Sequence, residues 1–134
     1  MTRDRTREQA IMQFNEAMGH PIGAPFSLEE INFRMAMIME EVAELQEEVT
    51  KTSTALWYHK PPINLPALLK ELADVQYVVS GFAATFGMDI QTAFNRVHES
   101  NMSKLQDDGT PLRRSDGKIL KGPNYKPPVM EDLI

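Results

Sequence analysis

The sequence predicts an all-α fold, a four-helix core followed by an irregular C-terminal extension that contains a short β-hairpin. Three observations lead there. Apolar residues recur at helical spacing through most of residues 1–105. Residues that start and stop helices punctuate that stretch repeatedly. After Lys104 the pattern gives way to turn dipeptides, prolines and basic residues.

Arg3 to Met18 reads as a first helix, with Ile11, Phe14 and Met18 on one face. Gly19-His20-Pro21 stops it, and Pro25 keeps the following loop extended. Ser27-Leu28-Glu29-Glu30 reads as a capping box, with Ser27 as N-cap and Glu30 reaching back. A long second helix follows to about Lys51, with the apolar stripe Ile31, Met35, Ile38, Val42, Leu45 and Val49. Thr52 to Pro66 reads as a connector holding Trp57, Tyr58, Pro61 and Pro62. The third helix is predicted over Leu65–Phe86. After Leu72 it is apolar on nearly every side, as expected of a helix buried all round or shared with a second subunit. Gly87 ends it, and Asp89 caps a fourth helix to about Leu105. Asp108-Gly109 and Asp116-Gly117 are turn dipeptides, and Leu112–Ser115 and Lys118–Lys121 flank the second as a hairpin. The organisation expected is a helical core over 1–105 and a basic extension over 106–134, within one domain.

Composition narrows the classes. The 134 residues fit one domain, and 42% hydrophobic with 25% charged residues is an ordinary soluble balance. No cysteine is present, which excludes disulfides and thiolate metal sites. There is no apolar run of membrane-spanning length, and Met1 to Glu8 lacks the features of a signal peptide. The expected location is therefore cytoplasmic, with no membrane partner. A net charge of −5 argues against binding to polymeric nucleic acid. Between Lys104 and Lys126, however, six Lys or Arg face three Asp, so that segment is +3. It reads either as a solvated tail or as a strap that meets phosphates.

The carboxylates carry the chemical argument. Glu40, Glu41, Glu44, Glu47 and Glu48 fall within roughly 60° of one line along the second helix. Like charges at that spacing repel, and no Lys or Arg lies between Met35 and Thr50 to relieve them. On the third helix Glu71 and Asp74 share a face within apolar surroundings. Lys70 is expected to point roughly 100° away from Glu71. Two carboxylates in such a setting need a cation between them. A divalent ion shared with the second helix supplies it, and all-oxygen ligation suits Mg²⁺ or Mn²⁺. A di-iron site of the Glu-x-x-His kind is excluded, because Ala17, Leu56 and Asn95 stand three before the histidines. On the fourth helix Asn101 and Lys104 share a face suited to phosphate oxygens. Alone, Asn-x-x-Lys usually marks a solvated surface.

Glu40-Glu41-Val42-Ala43-Glu44, then Glu71-Leu72-Ala73-Asp74, then Asn101-Met102-Ser103-Lys104 resemble the all-α nucleoside triphosphate pyrophosphohydrolases. This is the MazG-like superfamily, which includes dimeric dUTPases and phosphoribosyl-ATP pyrophosphohydrolase. The resemblance covers roughly Gln9 to Leu105. Gln13-Phe14-Asn15 through Pro25 and Arg34 look like the dUTPase branch, and the tail after Lys104 is similar to extensions of phosphoribosyl-ATP pyrophosphohydrolase-like proteins. The resemblance implies a four-helix catalytic core that forms a homodimer or a dimer of dimers. It implies Mg²⁺-dependent hydrolysis of a nucleoside triphosphate to a monophosphate and pyrophosphate, with Mn²⁺ able to substitute. By motif position Glu41, Glu44, Glu71 and Asp74 are the first-choice metal ligands, and Glu40 orients or deprotonates the water or is itself a ligand. Asn101 and Lys104 hold phosphate oxygens. A base pocket is placed near the first helix, with Gln13, Phe14 and Trp57, although Phe14 and Trp57 also read as plain core residues. Two other readings stay open at this point. One is a non-catalytic helical interaction module, which leaves the Glu71/Asp74 pair unexplained. The other is a nucleotide sensor with little turnover.

Overall fold

The computed structural model describes residues 5–60 and 63–134. It contains α1 (Arg7–Met18), α2 (Leu28–Trp57), α3 (Leu65–Thr85) and α4 (Ile90–Met102). A hairpin of β1 (Leu112–Arg113) and β2 (Ile119–Leu120) and a 3-10 turn at Glu131–Leu133 complete it. The fold class is therefore all-α with a small C-terminal hairpin. The expected helical positions Arg3 and Asp4, and Pro61 and Pro62 of the connector, lie outside the described residues. The chain separates into two compact units, one ending at Met88 and the other spanning Asp89–Ile134. Helix α4 and the extension fall together in the second unit.

In the first unit, α1 begins with a reciprocal capping box. The Thr6 hydroxyl accepts from the Gln9 N–H at 3.1 Å, and the Gln9 side chain accepts from the Thr6 N–H at 3.0 Å. The box expected at the start of α2 is only half formed. Ser27 Oγ accepts from the Glu30 N–H at 3.2 Å, but the Glu30 carboxylate turns to Arg34, 4.0 Å away. Arg34 is almost fully buried, at 3% exposure, and its charge draws the carboxylate although Arg34 Nε and Glu30 Oε2 share no hydrogen bond. The second correction is the length of α2, which runs to Trp57 and not to Lys51. The Thr52 hydroxyl donates to the Glu48 carbonyl at 2.9 Å, so it bonds within the helix instead of breaking it. Lys51 pairs with Glu47 at 3.7 Å and Glu48 at 3.3 Å on the same turns.

Asn64 caps α3, accepting from the Ala67 N–H at 3.0 Å, with proline in the first turn. Helices α2 and α3 run antiparallel. A Cβ on Gly81 would stand 3.5 Å from Arg34 Nη1, while Glu41 and Glu44 meet the earlier α3 residues Glu71 and Asp74. Helix α1 lies on α3 through an edge-on contact of Phe14 with Tyr77, centroids 5.4 Å apart. The Ser80 hydroxyl donates to Glu8 at 3.3 Å across the same seam. The last carbonyls of α3 are satisfied by the incoming loop, Gly23 N–H to Ala84 at 3.1 Å and Ala24 N–H to Thr85 at 2.7 Å. Phe26 stacks on Phe86 beside them, centroids 4.3 Å apart.

The buried apolar core is small: among the described residues it comprises Ile11, Val78, Ala83 and Phe86. Of the predicted α2 stripe, Ile31, Ile38 and Leu45 are half-buried. Met35, Val42 and Val49 stay exposed. No described helix is long and apolar enough to cross a membrane.

In the second unit Asp89 caps α4, accepting from the Thr92 N–H at 3.0 Å. The hairpin pairs Leu112 with Leu120 and Arg113 with Ile119, two residues a strand. Its turn is closed by Arg114 N–H to the Lys118 carbonyl at 2.8 Å. Gly117, at φ 90°, adopts the left-handed backbone that the Asp-Gly turn requires. The extension is tied to α4 by the Arg96 guanidinium. It bonds the Asp132 carboxylate at 2.5 and 2.9 Å and the Val129 carbonyl at 2.9 Å.

Candidate metal centre

Midway along the α2–α3 pair, Glu41, Glu44, Glu71 and Asp74 each offer a carboxylate oxygen, and these oxygens lie within 4.8 Å of one another. Helical spacing explains the convergence. Residues three apart share a face, so each helix contributes two carboxylates to the same turn of the interface. The remaining acids of the α2 stripe do not join. Glu40 and Glu47 are exposed, and Glu48 is held by Lys51.

The cluster is electrostatically loaded. Burial raises the Glu41 carboxyl above its ordinary value. The charge of Glu44, a hydrogen bond shared with it, and the charges of Asp74 and Glu71 push the same way. One oxygen of Glu41 and one of Glu71 are buried with no hydrogen-bond partner. A cation does approach, contrary to the sequence reading. Lys70 Nζ is 2.8 Å from Asp74 and 3.6 Å from Glu71. The angular argument holds for the Cα–Cβ direction, but a four-carbon stem reaches round to the next turn. The i, i+4 spacing of Lys70 and Asp74 is the signal that finds it. One ammonium against four carboxylates still leaves the two buried oxygens orphaned.

The donor set fits a hard divalent cation. Opposed oxygens on Mg²⁺ stand about 4.2 Å apart, twice the roughly 2.1 Å ligand distance. The observed spread of 4.8 Å therefore needs to contract by only a few tenths of an ångström per ligand.

The other predicted residues fall elsewhere. Phe14 is half-buried in an aromatic group with Tyr77 and His20, the latter 6.1 Å away. His20 also faces Phe33 at 6.4 Å. It lies in the loop after α1, half-buried between Phe14 and Phe33. Gln13 is exposed and accepts from Arg5. Trp57 does not join Phe14 within the first unit. It is 78% exposed at the end of α2, and the helix from Phe33 to Trp57 spans about 36 Å. Asn101 is exposed near the end of α4, and Lys104 follows it with its carbonyl bonded to the Gly122 N–H at 3.0 Å.

Comparison with known proteins addresses this arrangement. The profile of the phosphoribosyl-ATP pyrophosphohydrolase family matches residues 11–101, a span that holds both carboxylate pairs and all of α2 and α3. The chain belongs to that family. Family membership also places it in the MazG-like all-α superfamily. A similar protein is the uncharacterized protein L479 of Acanthamoeba polyphaga mimivirus, 26% identical over 113 residues. The alignment takes in 79% of this chain but spans only 38% of the length of that relative. The family match stops at Asn101, so the basic extension lies beyond it.

Proposed function

We propose that the protein is a Mg²⁺-dependent nucleoside triphosphate pyrophosphohydrolase. It releases pyrophosphate and a nucleoside or deoxynucleoside monophosphate. The observation that carries this reading is the convergence of Glu41, Glu44, Glu71 and Asp74 with two buried oxygens unpartnered. These four side chains would hold Mg²⁺, or Mn²⁺ in its place. The metal supplies positive charge against the phosphates and against the charge that develops on the departing pyrophosphate. Glu40, exposed one residue before the cluster, orients a water and accepts its proton. The water oxygen bonds to phosphorus at the α–β bridge as the bridging P–O bond breaks. Asn101 and Lys104 donate to phosphate oxygens. Such chemistry depends on positioning and charge neutralisation more than on covalent participation.

The reading includes a homodimer. Met35, Met39, Val42, Val49 and Leu56 form an exposed apolar line along α2. Leu65, Leu69, Leu72 and Val79 form another along α3. Both lines recur at spacings of three, four or seven, the repeat of helices that pack side by side. A second copy of the same helical pair is the partner that covers both lines at once.

The test is a panel of NTPs, dNTPs and phosphoribosyl-ATP with Mg²⁺ or Mn²⁺, scored for pyrophosphate against orthophosphate. Pyrophosphate release that stops on chelation and returns with metal is the expected result. Binding without turnover across the panel would instead identify a nucleotide sensor. Neither binding nor turnover would return the chain to a helical interaction module.

A further inference from the structure

The extension beyond the family match is built onto α4 by a specific set of bonds. Ser100, 7% exposed, donates its hydroxyl proton to the Lys126 carbonyl at 2.7 Å. The Ser103 hydroxyl donates to the Ser100 carbonyl at 2.6 Å and accepts from the Lys126 N–H at 2.9 Å. Gly122 donates its N–H to the Lys104 carbonyl at 3.0 Å. A Cβ on Gly122 would stand 2.4 Å from that carbonyl oxygen, so only glycine permits the approach.

These bonds bring Lys104, Lys121 and Lys126 to one junction. Among the described residues none of the three forms an ion pair, whereas Arg96 and Arg114 are matched by Asp132 and Asp116. The acids nearest in sequence accept neutral hydrogen bonds and keep their charge, Asp107 from Asn124 and Asp108 from Thr110, so one carboxylate stands beside Asn124 against the lysines of the junction. Glu99 lines, with Arg96, an adjoining cleft of about 320 Å³ that shares Ser103 and Lys126 with the one described below. Lys121 Nζ sits over the Tyr125 ring, 4.7 Å from its centroid, which fixes its direction. Tyr125, Asn124 and Lys126 line an open cleft of about 510 Å³ with Ser103 and Pro123. Its donors are the Lys126 ammonium, the second N–H of Asn124 and the Tyr125 hydroxyl, since the Ser103 proton is already used.

We infer that this cleft is a second, metal-independent site for polyphosphate oxyanions. Lys126 and the adjoining Lys121 supply the charge, and Asn124 and Tyr125 supply neutral donors. The ligand class is a di- or triphosphate chain, free or carried by a nucleoside. The inference does not rest on the carboxylate cluster, which attracts cations and repels such anions when metal is absent.

The test is titration calorimetry of tripolyphosphate into the full chain in excess EDTA. Measurable binding is expected, weakening about tenfold with each of Lys121→Ala and Lys126→Ala, the range for a charge-assisted contact. Lys121→Arg and Lys126→Arg should retain it, which separates charge loss from misfolding. Asp74→Asn, which disables the carboxylate cluster, should leave it intact. Equal affinity for tripolyphosphate and a nucleoside triphosphate identifies the free chain as the ligand. Tighter binding of the nucleotide identifies the nucleotide, and either result supports the site. No binding in EDTA would overturn it. An equal loss from Arg113→Ala with Lys118→Ala would also do so, since that reports diffuse charge rather than a site.

Discussion

Replacing Glu71 with Gln removes one of four negative charges gathered within 4.8 Å while keeping the side chain's shape. In the metal-free protein the Glu71 side chain is 13% exposed, with one buried oxygen unpartnered. An amide there can donate to Glu41, whose own buried oxygen also lacks a partner. Relieving such a group is worth about 1 kcal/mol or more. Unfolding entropy near 2.1 cal/mol/K per residue gives about 0.28 kcal/mol/K for this chain length, so the metal-free variant should melt about 4 °C higher than the parent. With metal at about a hundred times its dissociation constant, the parent gains about 2.7 kcal/mol, or about 10 °C. If losing a charged ligand weakens metal binding a hundredfold, the variant gains only about 0.4 kcal/mol at the same concentration, less than 2 °C. The two proteins should therefore exchange order between EDTA and Mg²⁺ in a melting scan followed by circular dichroism. Equal metal shifts in both would remove Glu71 from the ligand set. A variant less stable in EDTA would show that its contact with Lys70 dominates.

Three further outcomes are expected. Glu41 is raised above 4.5 by burial and its acidic neighbours; in EDTA its contribution to stability is present below pH 4.5 and lost as pH rises through the folded-state value. Melting temperature in EDTA should therefore fall over that interval in the parent, and Glu41→Gln should flatten the fall; an unchanged slope would contradict the assignment. Val49→Asp with Leu69→Asp places charges on the two exposed apolar lines and should convert a dimer to a monomer in analytical ultracentrifugation, with helix content retained. Gly122→Ala should cost about 1–3 kcal/mol of local stability through overpacking against the Lys104 carbonyl, read as faster proteolysis after Lys121; equal cleavage rates would show that the contact is not holding the extension.

The fold class and the start of α3 and α4 are legible because they depend on local signals. Asn64-Leu65-Pro66, Gly87 and Asp89 each act within one turn. The Glu71/Asp74 pair is legible from helix geometry, which fixes what one face presents; on α2 the same geometry leaves five carboxylates on one stripe, and only the family resemblance singles out Glu41 and Glu44. What escapes the sequence is choice among partners. Glu30 has two donors within reach, and only the packing of Arg34 against Gly81 decides between them. Lys70 shows the same limit, since its Cβ direction does not fix where its ammonium ends. The tie between Ser100, Ser103 and Lys126 joins positions more than twenty residues apart through side-chain to main-chain bonds. Such bonds leave no periodicity to detect. The long apolar run of α3 signals burial, yet Leu65, Leu69, Leu72 and Val79 remain exposed, because a burial signal does not say whose chain provides the cover.

Lys70 has a consequence for how the carboxylate cluster is loaded. Its ammonium rests 2.8 Å from Asp74 on an exposed stem, free to swing outward. An arriving divalent ion would not enter an empty electronegative hole. It would evict a tethered monovalent tenant that cannot diffuse away. Loading becomes a swap, with a net gain of one positive charge rather than two, so its rate and affinity should depend less on ionic strength than a bare four-carboxylate nest would. The tethered ammonium also holds Asp74 and Glu71 together in the metal-free protein, so the nest would stay shaped for an incoming ion. A monovalent ion such as Na⁺ would gain nothing by displacing it, which biases the nest toward divalent ions before ligand geometry is considered.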